Sequence, residues 1–356
     1  MGIGESAQVW EQMDMDAVTG DFERLFPSFS FDAQGVLADI MSGQLLEALK
    51  KLGDGLSGAV VFQREEFRTL FFTILVLGVA AALFTNFADM FKDHQVSELA
   101  FYFVYLLMIA VLIKFFSQTA DTVREMLGGV STFIKLYIPT YMVAVGSASG
   151  AMSATVYYQL LLAVVYLIEW GYLTILLPLV HVYVLLVIIN GIWMGEKLAL
   201  LLELMEKVIK GSVKASVWLV TGFSLLQSMI SPVIDSLQFS AVKKALSSMP
   251  GIGGLTEGMF EMVVGSAVLV KNSLGLYITL ILILICAAPV IKIALVSGVI
   301  KLSAALVGII SDKRLTNCVS RVGEGNLMLL RIALTSVGMF VIQVAVISYS
   351  TAQAVR

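Results

Sequence analysis

The run Thr69–Ala88, TLFFTILVLGVAAALFTNFA, decides the fold: twenty residues without a charge, held between Arg68 and Asp89. At a rise of about 1.5 Å per residue, a helix of that length crosses the ~30 Å hydrocarbon core of a bilayer. The rest of the chain has the same character. Of 356 residues, 58% are apolar and 14% are charged, against roughly 45–50% and about 25% in a soluble domain. That composition excludes a soluble globular protein.

Working outward, further spans follow. Leu99–Ile113 is short, but Lys114 can snorkel and Phe115–Ala120 can complete the crossing. Leu136–Ile168 is uncharged for 33 residues, too long for one helix, and the small-residue stretch Gly146–Ala154 divides it. Val156–Ile192 reads as one long tilted span or two closely joined ones. Ala215–Ile234, Asn272–Ile291 and the 24 uncharged residues Ile332–Val355 complete the set. In Glu196–Lys214, Leu198, Leu201, Leu202, Met205 and Ile209 share one face and lysines and glutamates the other, the pattern of a helix lying in the interface plane. Ala294–Ile310 is apolar but carries Lys301, and reads as a surface-lying helix, a re-entrant hairpin or a span with a buried lysine, with the first two favoured. Ahead of the first span, Val36–Leu52 has helical apolar spacing and reads as an amphipathic helix. The expected fold is therefore all-α: a polytopic membrane helix bundle of six to eight spans over residues 69–356, with interfacial helices near 196–214 and 293–310. It is preceded by an acidic extramembrane helical segment, residues 1–68.

Charge distribution orients this bundle. The net charge is −3, too little basic excess to hold a nucleic-acid backbone. It divides into −7 over residues 1–68 and +4 beyond them. Lys292–Arg331 holds six bases against Asp312 and Glu324, and Glu196–Lys214 four lysines against three glutamates, so both are expected on the cytoplasmic side. The acidic N-terminal segment is then extracytoplasmic, the C-terminus lies on the same side, and an even number of crossings is required. The first twenty residues hold Glu5, Glu11, Asp14 and Asp16 and no base, unlike a signal peptide. Met1–Ser6 matches the short myristoylation pattern at a chance level.

The chemical inventory is thin. His94 and His181 are the two histidines, so no His-Glu-x-x-His zinc site exists. No aspartate falls between Asp121 and Asp235, and no phosphate-binding loop is present. Cys286 and Cys318 form neither a disulfide framework nor a metal cluster. Gly146-Ser-Ala-Ser-Gly150 is not a nucleophile elbow; like Gly191 and Gly195, it reads as a close helix contact. No catalytic, cofactor-binding or metal residue is expected, and the chain is not expected to be an enzyme. What remains are polar groups in apolar surroundings, which face a pore, a partner or each other: Glu169, His181, Lys271 and Asn272. On one continuous helix, the twelve residues from Glu169 to His181 span about 3.3 turns, and the two side chains are expected on roughly the same side. Asn190 falls on the opposite side. Pro139, Pro178, Pro232 and Pro289 lie inside apolar runs, where they kink or break helices.

Several stretches carry a family pattern: Gly265-Ser-Ala-Val-Leu-Val-Lys271-Asn272-Ser-Leu-Gly275, Ala288-Pro-Val-Ile-Lys292-Ile and Ile310-Ser-Asp312-Lys313-Arg314. To these are added Val96-Ser97-Glu98-Leu-Ala-Phe101, the break at Gly146–Ala154 and the loop Pro250–Gly254. From about Phe31 onward, the chain resembles the stage III sporulation protein AE family of endospore-forming bacteria, most specifically in its C-terminal third. The resemblance implies a subunit of the multi-protein channel between mother cell and engulfed forespore, placed in the mother-cell membrane around the forespore, with a permease or export-gate-like role. The implied partners are other membrane proteins and ring-forming proteins of the same channel and a cytoplasmic ATPase, beside the lipid bilayer; a homo-oligomer is compatible with them. Asp312, Lys313 and Arg314 then stand as the candidate cytoplasmic partner contact. The competing reading is a self-contained secondary transporter of ions or small molecules, with Glu169, His181 and Lys271 as coupling or substrate groups.

Overall fold

A computed structural model describes residues 33–48, 50–51, 64–91, 94–149, 152–192, 197–247 and 253–353. All regular structure among them is helical: α1 Ala33–Met41, α2 Arg64–Phe91, α3 His94–Ser149, α4 Met152–Gly171, α5 Leu177–Ile192, α6 Ala199–Ser247, α7 Gly253–Ile310 and α8 Lys313–Gln353. A π-turn, Tyr172–Leu176, joins α4 to α5. Helices satisfy their own backbone polar groups, which a hydrocarbon environment demands. Five described segments are long and apolar enough to cross a membrane: Glu65–Phe84, Phe101–Phe133, Ala163–Ile192, Cys286–Ile310 and Lys313–Val344.

The polytopic helical bundle is as expected, and six to eight is an approximate figure for its spans. The principal difference lies in continuity. Leu99–Ala120 and Leu136–Gly146 belong to one 56-residue helix, α3. Glu196–Lys214 and Ala215–Ile234 share α6 apart from the first few residues, and Asn272–Ile291 and Ala294–Ile310 share α7. The last of these segments, for which the sequence favours an interfacial or re-entrant placement over a span with a buried lysine, falls within the crossing candidate Cys286–Ile310. Charged residues marked boundaries in the sequence, but a charge that finds a partner on a neighbouring helix does not end its own. Lys135 sits 4.9 Å from the centre of the Tyr166 ring, and Lys301 lies 3.1 Å from Glu324. At ~1.5 Å per residue, α3 and α7 are each over 80 Å long, far more than one bilayer thickness. The expected break at Gly146–Ala154 does separate two helices, since α3 ends at Ser149 and α4 begins at Met152.

The long Val156–Ile192 segment resolves into α4 and α5 with the π-turn between them. Leu177 N–H bonds Tyr172 O, five residues back, and Pro178 follows at once. Proline has no N–H and its ring crowds the preceding turn, so the ordinary ladder cannot run through this point, and the extra residue absorbs the conflict.

Helix α8 is the axis on which the bundle is assembled. Leu315, Val319, Val322, Leu329, Ile332 and Phe340 are buried along it at helical spacing, as are Ile293, Val296, Ile300, Ala304 and Val307 on α7. Near its start, Arg314 lies 4.4 Å over the Phe101 ring of α3; farther along, Phe340 meets Phe133 edge-on at 6.3 Å. α3 thus runs parallel to α8. The turn into α8 is fixed by Asp312, whose Oδ1 accepts the Arg314 backbone N–H at 2.7 Å and whose carbonyl accepts from Thr316 N at 3.1 Å. A carboxylate here also meets the positive end of the helix dipole. Asp312→Ala is expected to lower stability by about 1 kcal/mol, and Asp312→Asn by less, as read by thermal unfolding in detergent.

The amphipathic helix expected over Val36–Leu52 is interrupted. α1 stops at Met41, and Gly43 takes φ 81°. Gln44 N bonds Asp39 O at 2.8 Å and Gly43 N bonds Ile40 O at 3.1 Å, a helix stop that requires a left-handed residue. Val36 and Ile40 are buried where α1 packs on α7. Residues 1–32, with the Met1–Ser6 motif and most of the acidic N-terminal segment, lie outside the described residues, as does most of the loop Pro250–Gly254.

Candidate functional site

Among the described residues, two polar centres interrupt the apolar bundle, and both are built on α8. The first is an ion-pair hub at Glu324. Its carboxylate meets Lys210 of α6 at 2.8 Å, Lys301 of α7 at 3.1 Å and Arg331 of its own helix at 3.8 Å. The Glu324 side chain is only 19% exposed, the two lysines about one third, so these charges are partly desolvated and their pairing matters. Lys210 also bonds Glu206, one turn earlier on α6. Burial works against its charge, but the carboxylates of Glu206 and Glu324 outweigh that and raise its pKa above the usual lysine value. A second pair on α6, Lys207–Glu203 at 2.9 Å, is solvent-exposed.

The second centre is Glu169, at the end of α4. It is fully buried; Ser336 Oγ donates to its Oε1 at 2.5 Å, while Oε2 has no hydrogen-bond partner among the described residues. Tyr172 Oη, one turn on, pairs with Ser216 of α6. On α8, seven residues beyond Ser336, Gln343 is fully buried with both amide atoms unpartnered among the described residues. The twelve residues between Glu324 and Ser336 set the two centres about 18 Å apart along the axis.

Of the polar groups singled out in the sequence, Glu169 and His181 are not brought together. His181 is half-buried on α5, with Nδ1 2.9 Å from Leu177 O and its ring edge-on to Phe116 of α3 at 5.1 Å. Twelve residues make about 3.3 turns, and the odd third of a turn already sets the two side chains about 120° apart on a regular helix, so spacing does not align them: Glu169 faces α8 and His181 faces α3. Asn190 caps the connection to α6, its Oδ1 accepting Leu198 N–H at 2.9 Å. Asp312 and Arg314 make the internal contacts already described, while Lys313, the first residue of α8, is exposed. The Lys271 and Asn272 backbones lie in α7, and their side chains fall outside the described residues, as does Gly195. Cys286 and Cys318 are both buried and free.

Sequence reasoning missed the hub. Its signal was present: Lys301 lies ten residues before Ser311, Glu324 twelve after Asp312. A tight helical hairpin at that turn brings opposite charges at similar distances from it face to face.

The family model described as stage III sporulation protein AE matches residues 31–351. The stage III sporulation protein AE of Bacillus subtilis (strain 168) is 23% identical over 235 residues, 66% of this chain and 59% of that protein. The match therefore spans somewhat under two thirds of the curated relative. No solved structure matches.

Proposed function

The chain belongs to the stage III sporulation protein AE family, and from that premise we propose that it is a non-enzymatic membrane subunit of the channel between mother cell and forespore. Its role there is that of a permease or export gate. The observation that carries this reading is the joining of family membership to a bundle of very long helices with charged groups paired inside it. Helices longer than a bilayer is thick give such a subunit surfaces beyond the membrane on which other channel components can assemble. The basic segment Lys292–Arg331 faces the mother-cell cytoplasm in this reading, where an ATPase docks. The acidic N-terminal segment faces the ring-forming proteins in the intermembrane space.

The buried carboxylate of Glu169 favours a second reading, a self-contained transporter that moves ions or small molecules through coupled protonation. One experiment separates the two. Under the channel reading, deletion stops forespore development and intercompartment transport, Glu169→Gln restores both, and purified protein in liposomes shows no coupled uptake. Normal development after deletion defeats the proposal. Loss of function in Glu169→Gln together with proton- or sodium-coupled uptake by the purified protein establishes the transporter instead.

A further inference from the structure

A pocket of about 440 Å³ opens between α6 and α8 beside the Glu324 hub, with Lys210, Lys214 and Arg331 among its walls together with Val217, Trp218 and Leu334. Cations and apolar side chains, contributed by both helices, line it together and make an amphipathic receptacle. Its charge is not cancelled from within. Lys210 is held by Glu206 and Glu324, and Arg331 reaches Glu324 only at 3.8 Å. Lys214 has no ion-pair partner among the described residues and is exposed.

The position of the pocket along the two helices is equally informative. Lys214 is the last charge on α6 before the uncharged run Ala215–Ile234, and Arg331 the last on α8 before Ile332–Val355. Two parallel helices thus place their final cations at one level, each followed by enough apolar residues to enter a bilayer. With these two uncharged runs, rather than the longer stretch Lys313–Val344, taken as the part inside the bilayer, the cations lie among phospholipid headgroups and the indole beside them takes the interfacial position tryptophan prefers. Trp218 is 70% exposed and Leu334 51%, so both leave apolar surface uncovered at the pocket.

We propose that this pocket binds an anionic phospholipid. The phosphate of the headgroup is received by Lys214 and Arg331, with Lys210 behind them, and the start of an acyl chain lies on Val217, Trp218 and Leu334. A free phosphate ion would use the same cations but leave the apolar wall idle, and the lipid uses both. A bound headgroup would also tie α6 to α8 at the level of the hub, coupling the anchorage of the bundle to the charge of the surrounding membrane.

The test uses full-length protein in detergent, titrated with brominated phosphatidylglycerol or brominated phosphatidylcholine while tryptophan fluorescence is recorded. Bromine quenches an indole it touches, and the Trp218→Phe variant identifies the Trp218 share. The expected result is saturable quenching of Trp218 at a clearly lower concentration of phosphatidylglycerol than of phosphatidylcholine. That preference should weaken about fivefold in Lys214→Ala and roughly 30-fold in Lys214→Ala with Arg331→Ala, following the contribution of each cation near an anionic surface. Lys214→Arg should keep it. Because Arg331 also touches the hub, Lys214→Ala alone decides the matter if the double variant does not fold. Equal response to both lipids, a preference unchanged in Lys214→Ala, or competition by millimolar inorganic phosphate as effective as the lipid itself would overturn the proposal.

Discussion

Glu324→Ala lowers the stability of the detergent-solubilised protein by about 2–3 kcal/mol, one of the two largest losses expected from any single substitution described here. One carboxylate serves Lys210, Lys301 and Arg331, drawn from three helices. Removing one partner of a fully buried ion pair costs roughly 3–5 kcal/mol, because the remaining charge stays desolvated without compensation. The hub is part-exposed, with the lysine side chains at 33% and 34%, so solvent recovers some of that loss and the figure falls below the fully buried range. Lys301 suffers most, since Glu324 is its only ion-pair partner among the described residues, whereas Lys210 keeps Glu206. Two consequences distinguish this account from general damage. Glu324→Gln, which retains an acceptor oxygen, loses less. Lys301→Met added to Glu324→Ala recovers part of the loss, because the orphaned cation is gone. Thermal or denaturant unfolding of the four proteins checks the set, and an unchanged midpoint in Glu324→Ala would show that the pairs contribute nothing.

Gly191→Ala is expected to cost about 2–4 kcal/mol, an unusual penalty for one methyl group. A Cβ at Gly191 would occupy the space of Tyr105 Oη and lie 3.1 Å from Tyr105 Cζ and 3.6 Å from Cys318 Cβ. Tyr105 is 1% exposed, and its hydroxyl donates to Ile188 O at 3.2 Å. The methyl group forces α5 away from α3 and α8, or turns the ring and leaves a buried hydroxyl unbonded; overpacking costs about 1–3 kcal/mol and the lost bond about 1 more. Tyr105→Phe in the Gly191→Ala background should return part of the stability by vacating that volume. Gly128→Ala is the control: nothing lies within 4 Å of its added Cβ on α3, so better helix propensity should leave it neutral or up to about 1 kcal/mol more stable. If the two glycine substitutions have the same effect in unfolding measurements, the steric account is wrong.

Gly191 and Glu169 show where sequence reasoning reaches its limit. The spacing Gly191-x-x-x-Gly195 identified a close approach, and the contact at Gly191 is one, but nothing in the spacing named Tyr105 as the opposing group. That residue is 86 positions earlier in the chain, and only packing brings them together. Glu169 was legible as a polar group in an apolar run, and it is fully buried. Its alignment with His181 was not a fact of spacing, because the third of a turn left over after three full turns sets them about 120° apart.

By itself, the sequence determined the solvent and the secondary structure. Scarce charge and long apolar runs leave helices in a membrane as the way to satisfy the backbone, and the small-residue stretch at Gly146–Ala154 marked a true break between α3 and α4. The motifs from Gly265 onward were sufficient to identify the family. Tertiary structure decided where the helices end and which charges matter. A lone charge in an apolar run looks like a boundary because exposure to hydrocarbon is costly. Once a neighbouring helix supplies the opposite charge, that cost falls and the helix continues, which is how Lys301 came to lie inside α7 and Glu324 became the point where three helices meet.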